Sequence, residues 1–226
     1  ALTEMRDQVL LRKGRVAIAA LPTIFSAILP TVLAKFLSDY PGVELIIEDV
    51  ANAACVELVR SRQVDFALCA SAPTGLDLVI EKLASDTFYF VCKADHPLGG
   101  QKRLSTADVL KHPIIVFEKA SSIRQHLDAS IYPKQWTRAF QVNSLSTAAG
   151  LVSAGLAATI VPTLGLCQFN VHGLRAIPLT LPINRRDLCL LRRKDATESL
   201  AAQGFISLLR ESMGNEIQRL APDHPL

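Results

Sequence analysis

The sequence lacks any long apolar run, although half of its 226 residues are hydrophobic. No stretch approaches the ~20 apolar residues of a membrane-spanning helix. No basic segment followed by an apolar one opens the chain, as it would in a secretion leader. We therefore predict a cytoplasmic protein that does not contact a membrane. The chain starts at Ala1 within a helical pattern, which indicates a fragment or a processed chain. Its length allows one large domain or two smaller lobes.

The cysteines lack the spacing of a disulfide framework or a zinc site. There are five, an odd number, and none forms a C-x-x-C pair. Each has apolar neighbours, which predicts buried and reduced thiols. The five histidines also lie at no metal-ligand spacing from one another or from a cysteine. We predict no metal and no cofactor.

Motifs of common catalytic sites are missing as well. The chain contains no H-E-x-x-H, no G-x-S-x-G and no Walker phosphate loop. Acidic residues are scattered, and no pair of them suggests an acid and a base. The net charge is only +3, and the basic spots Arg185–Arg186 and Arg192–Lys194 look like charged strand ends rather than a phosphate-binding surface. These observations favour a binding protein over an enzyme.

The chain does contain a strand–helix–strand unit at residues 141–162, QVNSLSTAAGLVSAGLAATIVP. Asn143 and Ser144 are residue types that accept hydrogen bonds from the first free N–H groups of a helix. Apolar residues at spacings of three and four follow, Gly155 closes the helix, and a short apolar strand ends at Pro162. A helix N-terminus beside small hydroxyls favours an anion. An ordinary crossover unit with a capping asparagine is the alternative.

Strands and helices alternate along the rest of the chain. Before a break at residues 95–100, the order is βαβαβ, which favours a largely parallel sheet covered by helices. The early strands are predicted at 15–19, 43–49 and 66–69. The predicted helix caps are Asn52, Ser105, Ser121 and Thr197.

The helix between Ile24 and Leu37 has more apolar surface than one core-facing side needs, and Lys35 is its only charged residue. A helix at a protein surface normally keeps a polar face. The surplus predicts a dimer interface formed by Ile28, Val32, Phe36 and Leu37. The alternative is a helix packed between layers inside one subunit.

Several further motifs follow one another in a fixed order. GRVAIAALPTIFSAILPTVLAKFLSDYPGVEL near the start is followed by QVDFAL, FVCKADHPL, LSTADVLKHPIIV and SSIR. The pattern V-N-S, then V-S-A-G-L, a strand of small residues and V-P comes after them. From about Gly14 to Met213, this order resembles the effector domain of LysR-type transcriptional regulators.

The resemblance implies an α/β fold with two lobes, like the type 2 periplasmic binding proteins. Two Rossmann-like subdomains would be joined by two crossover segments. We expect residues 1–13 to end a linker helix, 14–93 and 167–213 to form regulatory subdomain I, 94–166 to form subdomain II, and 214–226 to form a C-terminal tail.

With that fold, ligands lie beyond the carboxyl ends of the strands. The loops there are rich in hydroxyls and helix N-termini, and Glu118 is their only acidic residue. Such a site favours a small organic anion, most simply a carboxylate, with Leu21 and Val161 near its organic body. The candidate ligand-binding residues are Leu21, Pro22, Thr23, Ser71, Ser121, Ser122, Asn143, Ser144, Val161, Pro162 and Thr163.

The family's effector contacts carry over by resemblance to Thr23, Ser71, Ser122, Asn143 and Thr163. Pro22 stands where the family often has a hydrogen-bond donor, which we expect to move the anionic end of the ligand to Thr23.

The resemblance also implies a function. A small metabolite would bridge the lobes and shift the angle between them, and the shift would pass through a homodimer, or a tetramer of the full-length protein. DNA would be bound only by an N-terminal winged helix-turn-helix outside these residues. A free-standing solute receptor of the same fold and an enzyme on this scaffold are the alternatives. Some family members sense oxidants through two cysteines of the second lobe, and here only Cys167 falls near that region.

Overall fold

The computed structural model describes residues 14–70, 75 and 77–221. The predicted linker-helix end at residues 1–13 and the candidate contact Ser71 lie outside the described residues.

The chain divides into two compact units. Unit 1 comprises residues 1–84 and 187–216, and unit 2 comprises residues 85–186 and 217–226. The chain therefore passes from one unit to the other three times, after residues 84, 186 and 216. The first two passages lie on neighbouring strands of one sheet, those that contain residues 84 and 187. This agrees with the predicted α/β fold of two subdomains and two crossover segments.

Unit 1 is built on a five-stranded sheet. Its elements are β1 (Gly14–Ala20), α1 (Pro22–Ala27), α2 (Leu29–Asp39), β2 (Val43–Asp49), α3 (Asn52–Arg60), β3 (Phe66–Ala70), β4 (Leu78–Asp86), β11 (Arg186–Arg193) and α7 (Leu200–Leu220). The five-stranded sheet has the order β2-β1-β3-β11-β4. β1 is parallel to β2 and β3, and β11 is antiparallel to β3. β3, FALCA, is buried along its whole length, as expected of a strand covered on both faces.

The predicted helix up to residue 39 is two helices. α1 ends and α2 begins around Ile28, whose backbone departs from regular helical geometry, and Pro30 lies in the first turn of α2. A proline is tolerated there because the first helical N–H groups have no acceptor in the helix.

The dimer-interface prediction is wrong for three of its four residues. Ile28, Val32 and Phe36 are buried within the chain, and only Leu37 is exposed, at 42%. The Phe36 ring lies 5.0 Å from the ring of Phe205 on α7. The second apolar side of α2 is therefore covered by a helix of its own unit, which was the alternative interpretation.

Unit 2 is built on a larger sheet. Its elements are β5 (Phe88–Lys93), β6 (Leu104–Ser105), α4 (Thr106–Val109), β7 (Ile114–Phe117), α5 (Ser122–Ile131), β8 (Arg138–Val142), α6 (Leu145–Ser153), β9 (Ala158–Pro162), a 3-10 helix (Thr163–Phe169) and β10 (Leu174–Thr180). The six strands have the order β6-β10-β5-β9-β7-β8. β7 is parallel to β8 and β9, whereas β5 is antiparallel to β9 and β10.

The predicted subdomain boundaries, 14–93 with 167–213 and 94–166, are displaced from the observed ones. β5 and β10 fall within the predicted subdomain I but pair in the sheet of unit 2. The break at residues 95–100 is a turn within unit 2 rather than an exit from unit 1. Both strands are short apolar runs, and such runs do not indicate whether their pairing is parallel or antiparallel. The predicted tail also starts too early, because α7 continues to Leu220.

Two predicted helix signals are confirmed. Ser105 caps α4 through a capping box with Asp108. Gly155 follows α6 with a φ of +73°, a conformation that favours glycine.

Two other predicted caps are wrong. α3 begins at Asn52 itself, and the Asn52 side-chain oxygen accepts a hydrogen bond from the Ala70 N–H at 2.9 Å. At the last helix, Ser199 accepts from the Ala202 N–H at 3.1 Å, two residues after the predicted cap at Thr197.

Within the part of the chain that the structure describes, no helix is both long and apolar enough to cross a membrane.

Candidate functional site

Three parallel strands of unit 2, β8, β7 and β9, end at one edge of the sheet. Phe117 of β7 pairs with Val142 of β8, and Ile115 pairs with Thr159 of β9. The Glu118 N–H donates to the Val142 carbonyl at 3.0 Å, which extends the first pairing to the strand ends. The segments at this edge therefore lie side by side. They contain the candidates Ser121, Ser122, Asn143, Ser144, Val161, Pro162 and Thr163.

The N-terminus of α6 is capped by its own serine. The Ser144 hydroxyl accepts from the Thr147 N–H at 3.1 Å and lies 2.8 Å from the Thr147 hydroxyl. The Thr147 N–H therefore already has an acceptor and is not available to an anion. Asn143, just before it, is exposed.

The N-terminus of α5 is different. Ser121 stands at the capping position, but its side chain makes no capping hydrogen bond. The Gln125 N–H is the first that reaches a carbonyl one turn back, that of Ser121 at 3.0 Å. By position, the N–H groups of residues 122–124 have no acceptor within the helix. Because these donors coincide with the positive end of a ten-residue helix, they favour an anion.

A buried ion pair contacts this end of α5. Arg186 donates to both carboxylate oxygens of Asp86, through Nε at 3.0 Å and through Nη2 at 2.8 Å. Its Nη1 donates to the Ser122 hydroxyl at 3.4 Å, at the long end of the hydrogen-bond range. Both charged side chains are at most 1% exposed. The Ser122 hydroxyl is therefore held in place from inside unit 2.

A second cation lies near the first turn of α5. Arg124 donates to the Asp128 carboxylate at 2.6 Å and, through Nη1, to the Phe117 carbonyl at 3.3 Å. The side chain is 19% exposed. It places positive charge next to the end of β7, although Asp128 offsets part of it.

The candidates at the end of β9 are buried. Val161 is fully buried in the hydrophobic core of unit 2, and Thr163 is 1% exposed. The Thr163 hydroxyl lies 3.3 Å from the Thr87 carbonyl, to which it donates, and the Thr163 N–H donates to the same carbonyl at 2.8 Å. The prediction that Val161 surrounds the organic body of a ligand is wrong, because its side chain packs in the core. Thr163 joins the end of β9 to the start of β5.

Unit 1 has a comparable edge at the ends of β1, β2 and β3. The Leu21 N–H donates to the Leu68 carbonyl at 3.1 Å, which carries the β1–β3 pairing past the end of β1. Leu21 is buried and Pro22 is exposed at the start of α1. Thr23 is 3% exposed, and its hydroxyl has no hydrogen-bond partner among the residues the structure describes. A buried, unpaired hydroxyl is costly in a folded protein, and Thr23 thus remains a candidate donor.

Two neighbouring side chains shape the unit 1 edge. The Asn52 bond to the Ala70 N–H holds the chain as it leaves β3 towards residue 71. Burial raises the pKa of Asp49, at the end of β2, above its usual range.

Sequence reasoning missed three residues of the unit 2 site. They are Asp86, Thr87 and Arg186. The sequence pattern predicts only a charged strand end at Arg185–Arg186, and Asp86 is separated from Arg186 by 100 positions. The available signal was the position of Arg186, a charged residue just before the apolar centre of β11.

Four of the five thiols are buried away from solvent. Cys55, Cys69, Cys92 and Cys189 are buried. Burial raises the pKa of the Cys55 and Cys69 thiols to about 12, which leaves almost no reactive thiolate at neutral pH. Within the ranges that are described, no group of three or more histidine, cysteine, aspartate or glutamate side chains could hold a metal ion.

Comparison with known sequences assigns the family. The sequence model of the LysR substrate binding domain matches residues 11–214. The chain belongs to the LysR substrate-binding domain family. The HTH-type transcriptional regulator YbhD of Escherichia coli K12 is 30% identical over 210 residues, which cover 92% of this chain and 66% of YbhD. The chain thus spans about two thirds of the length of such regulators.

Solved structures of the LysR family share the fold. The effector binding domain of QuiR in complex with shikimate matches with a TM-score of 0.78 and 18% identity, over 89% of this chain and 98% of that one. The regulatory domain of Synechocystis PCC6803 CcmR in complex with 2-PG matches with a TM-score of 0.79 and 18% identity, over 88% and 98%. The predicted fold class, two-lobed and like the type 2 periplasmic binding proteins, is confirmed.

Proposed function

We propose that this LysR-family chain senses a small organic anion, most simply a carboxylate, and has no catalytic role. The observation that carries the proposal is the N-terminus of α5. Its first N–H groups have no side-chain cap, and they lie at the carboxyl edge of the unit 2 sheet beside Ser122. The family membership supports the same conclusion, as do the neighbours QuiR and CcmR, whose structures contain shikimate and 2-PG.

The named contacts follow from hydrogen-bonding chemistry. An anion at α5 would accept hydrogen bonds from the free N–H groups and from Ser122. Asn143 is exposed on the neighbouring segment and offers an amide donor. In unit 1, the unpaired Thr23 hydroxyl is a donor at the edge of that unit's own sheet. Ser144 contributes less, since its oxygen is already occupied as the cap of α6.

Signalling requires more than binding. A ligand shifts a conformational equilibrium only if its affinity differs between the two states. We propose that the responding protein is a cytoplasmic homodimer whose DNA contacts are made by a domain outside these residues. Of the predicted dimer residues, only Leu37 remains on the surface to take part.

Thermal denaturation with a panel of small carboxylates tests the binding proposal. The panel would contain acetate, succinate, citrate, benzoate and shikimate, and the methyl ester of each acid is its matched control. A carboxylate that binds the folded chain raises Tm by about 5–10 °C at 100 times its Kd. The ester should give little or no shift because it carries no charge. Equal shifts with acid and ester, or none with any acid, would contradict an anion site.

A further inference from the structure

The Asp86–Arg186 pair is unusual among the ion pairs of the described residues, because both of its side chains are almost fully buried. Removing two charges from water is energetically costly, and apolar replacements of a buried pair are often neutral or stabilising. Stability alone is therefore a poor explanation for this pair.

The position of the pair in the chain suggests another role. Asp86 is the last residue of β4 and Arg186 is the first of β11. Two of the three passages of the chain between the units come after residue 84 and after residue 186. The pair thus joins the two connecting segments to each other. The Lys82–Asp187 ion pair links the same two strands at 2.7 Å, but its side chains are 56% and 45% exposed.

The connecting segments are also attached to α5 along its length. Arg186 reaches Ser122 in the first turn. The His126 ring stacks on the Phe88 ring with centroids 4.9 Å apart, and its Nε2 lies 2.8 Å from the Ile183 carbonyl. Further along the helix, the Ser130 hydroxyl donates to the same carbonyl at 3.4 Å. Movement of either segment would therefore act on α5.

The donor and the acceptor of the Arg186–Ser122 hydrogen bond are fixed by the chemistry of the two side chains. A guanidinium donates and cannot accept, so the Ser122 oxygen must be the acceptor. The hydroxyl hydrogen of Ser122 is then left to be donated to another acceptor. Ser122 is partly exposed at the free N-terminus of α5, where the proposed anion would supply that acceptor.

We propose that Arg186, held by Asp86, is a positioning residue that turns the Ser122 hydroxyl into a donor for the effector. This inference rests on the proposed anion site. It makes the effector affinity depend on a buried pair that does not contact the effector, and it links the occupied site to both connecting segments.

Titration calorimetry with the carboxylate of the panel that gives the largest thermal shift measures this dependence. Ser122→Ala should weaken its binding roughly tenfold or more, the range for a hydrogen bond to a charged group. The double variant Asp86→Leu/Arg186→Met, which removes both buried charges, should weaken binding to a similar extent. Adding Ser122→Ala to it should cause no further loss, because the two changes act through one bond. Equal affinity in the wild type and the double variant overturns the inference.

Controls separate this outcome from unfolding. Lys82→Gln/Asp187→Asn removes an exposed pair between the same strands and should leave the affinity unchanged. If the double variant does not fold, Arg186→Lys replaces it, because this variant keeps a cation opposite Asp86. Its single ammonium cannot reproduce the planar fork that reaches Asp86 and Ser122 together, and the same loss is expected.

Amide hydrogen exchange without ligand keeps the two proposals distinguishable. The Gln125 amide, which closes the first turn of α5, should exchange about tenfold faster in Asp86→Leu/Arg186→Met than in the wild type, and at the wild-type rate in the Lys82/Asp187 control. If carboxylates bind but neither affinity nor exchange responds to the pair, the positioning role fails and the anion site stands. If no carboxylate binds, the anion site fails, and unchanged exchange would overturn the positioning role as well.

Discussion

Three helices of unit 2 have a serine at the N-terminal capping position, and the three serines make different hydrogen bonds. Ser105 caps α4 in a capping box, and Ser144 caps α6 through the Thr147 N–H. Ser121 occupies the same position at α5 and makes no capping hydrogen bond. A serine at the capping position therefore does not by itself indicate a capped helix. The uncapped end is the one that lies beside Arg186, and its first N–H groups have no acceptor within the helix.

The largest expected difference between α5 and α6 is in ligand affinity. In Ser122→Asp, the new carboxylate would take the free N–H groups of α5 and the Arg186 donor. We expect carboxylate affinity to fall by at least about 100-fold, since the ligand would compete with a tethered anion. Ser144→Asp places the same charge at α6, where aspartate caps as well as serine does.

Titration calorimetry of the two variants compares the helix ends directly. A loss confined to Ser122→Asp supports α5 as the anion site. Equal losses in both variants would mean that α6 contributes equally, and an unchanged affinity in Ser122→Asp would remove α5 from the site.

A smaller difference is expected in stability. Ser144→Ala removes the cap of α6 and should cost about 1 kcal/mol in the free energy of unfolding, or a Tm decrease of about 2–4 °C. Ser121→Ala should change Tm much less, because the Ser121 side chain makes no capping bond. Thermal denaturation without ligand measures both. A larger decrease for Ser121→Ala than for Ser144→Ala would contradict the assignment of the capped and uncapped ends.

The local features of these helices could be predicted from sequence, and their wider contacts could not. The Ser105 cap and the turn at Gly155 depend on a few neighbouring residues. In contrast, Phe36 is buried by Phe205, and Arg186 is paired with Asp86, both at large sequence separation. A surplus apolar face on α2 indicates a second contact but does not say whether a partner subunit or a distant helix provides it.

The same reasoning applies to the two sheets. The strand–helix–strand unit at residues 141–162 forms much as its sequence pattern predicts, with β8 and β9 on either side of β7. β5 and β10 could not be assigned in this way, because antiparallel neighbours far apart in sequence leave no local signal. The unpaired Thr23 hydroxyl illustrates the limit for the site. Its residue type was predicted as a donor, whereas its burial depends on the packing around it.

The smallest expected effect concerns the capping box of α4. The Asp108 carboxylate accepts from the Ser105 hydroxyl at 2.6 Å and from the Ser105 N–H at 2.9 Å. These bonds, the hydroxyl first, hold the pKa of Asp108 below its usual range. Because this pKa is lower in the folded state than in the unfolded state, the ionised carboxylate stabilises the fold at pH values above the unfolded-state pKa. The stabilisation is lost as the pH falls through the folded-state pKa. In Ser105→Ala, we expect the pKa of Asp108 to rise part of the way towards its usual range, because the backbone N–H remains. An NMR titration of the Asp108 carboxyl carbon measures the change, with Ser144→Ala as the control that leaves it unaltered. An unchanged pKa in Ser105→Ala would mean that the box is not formed in solution, and that α4 resembles α5 rather than α6.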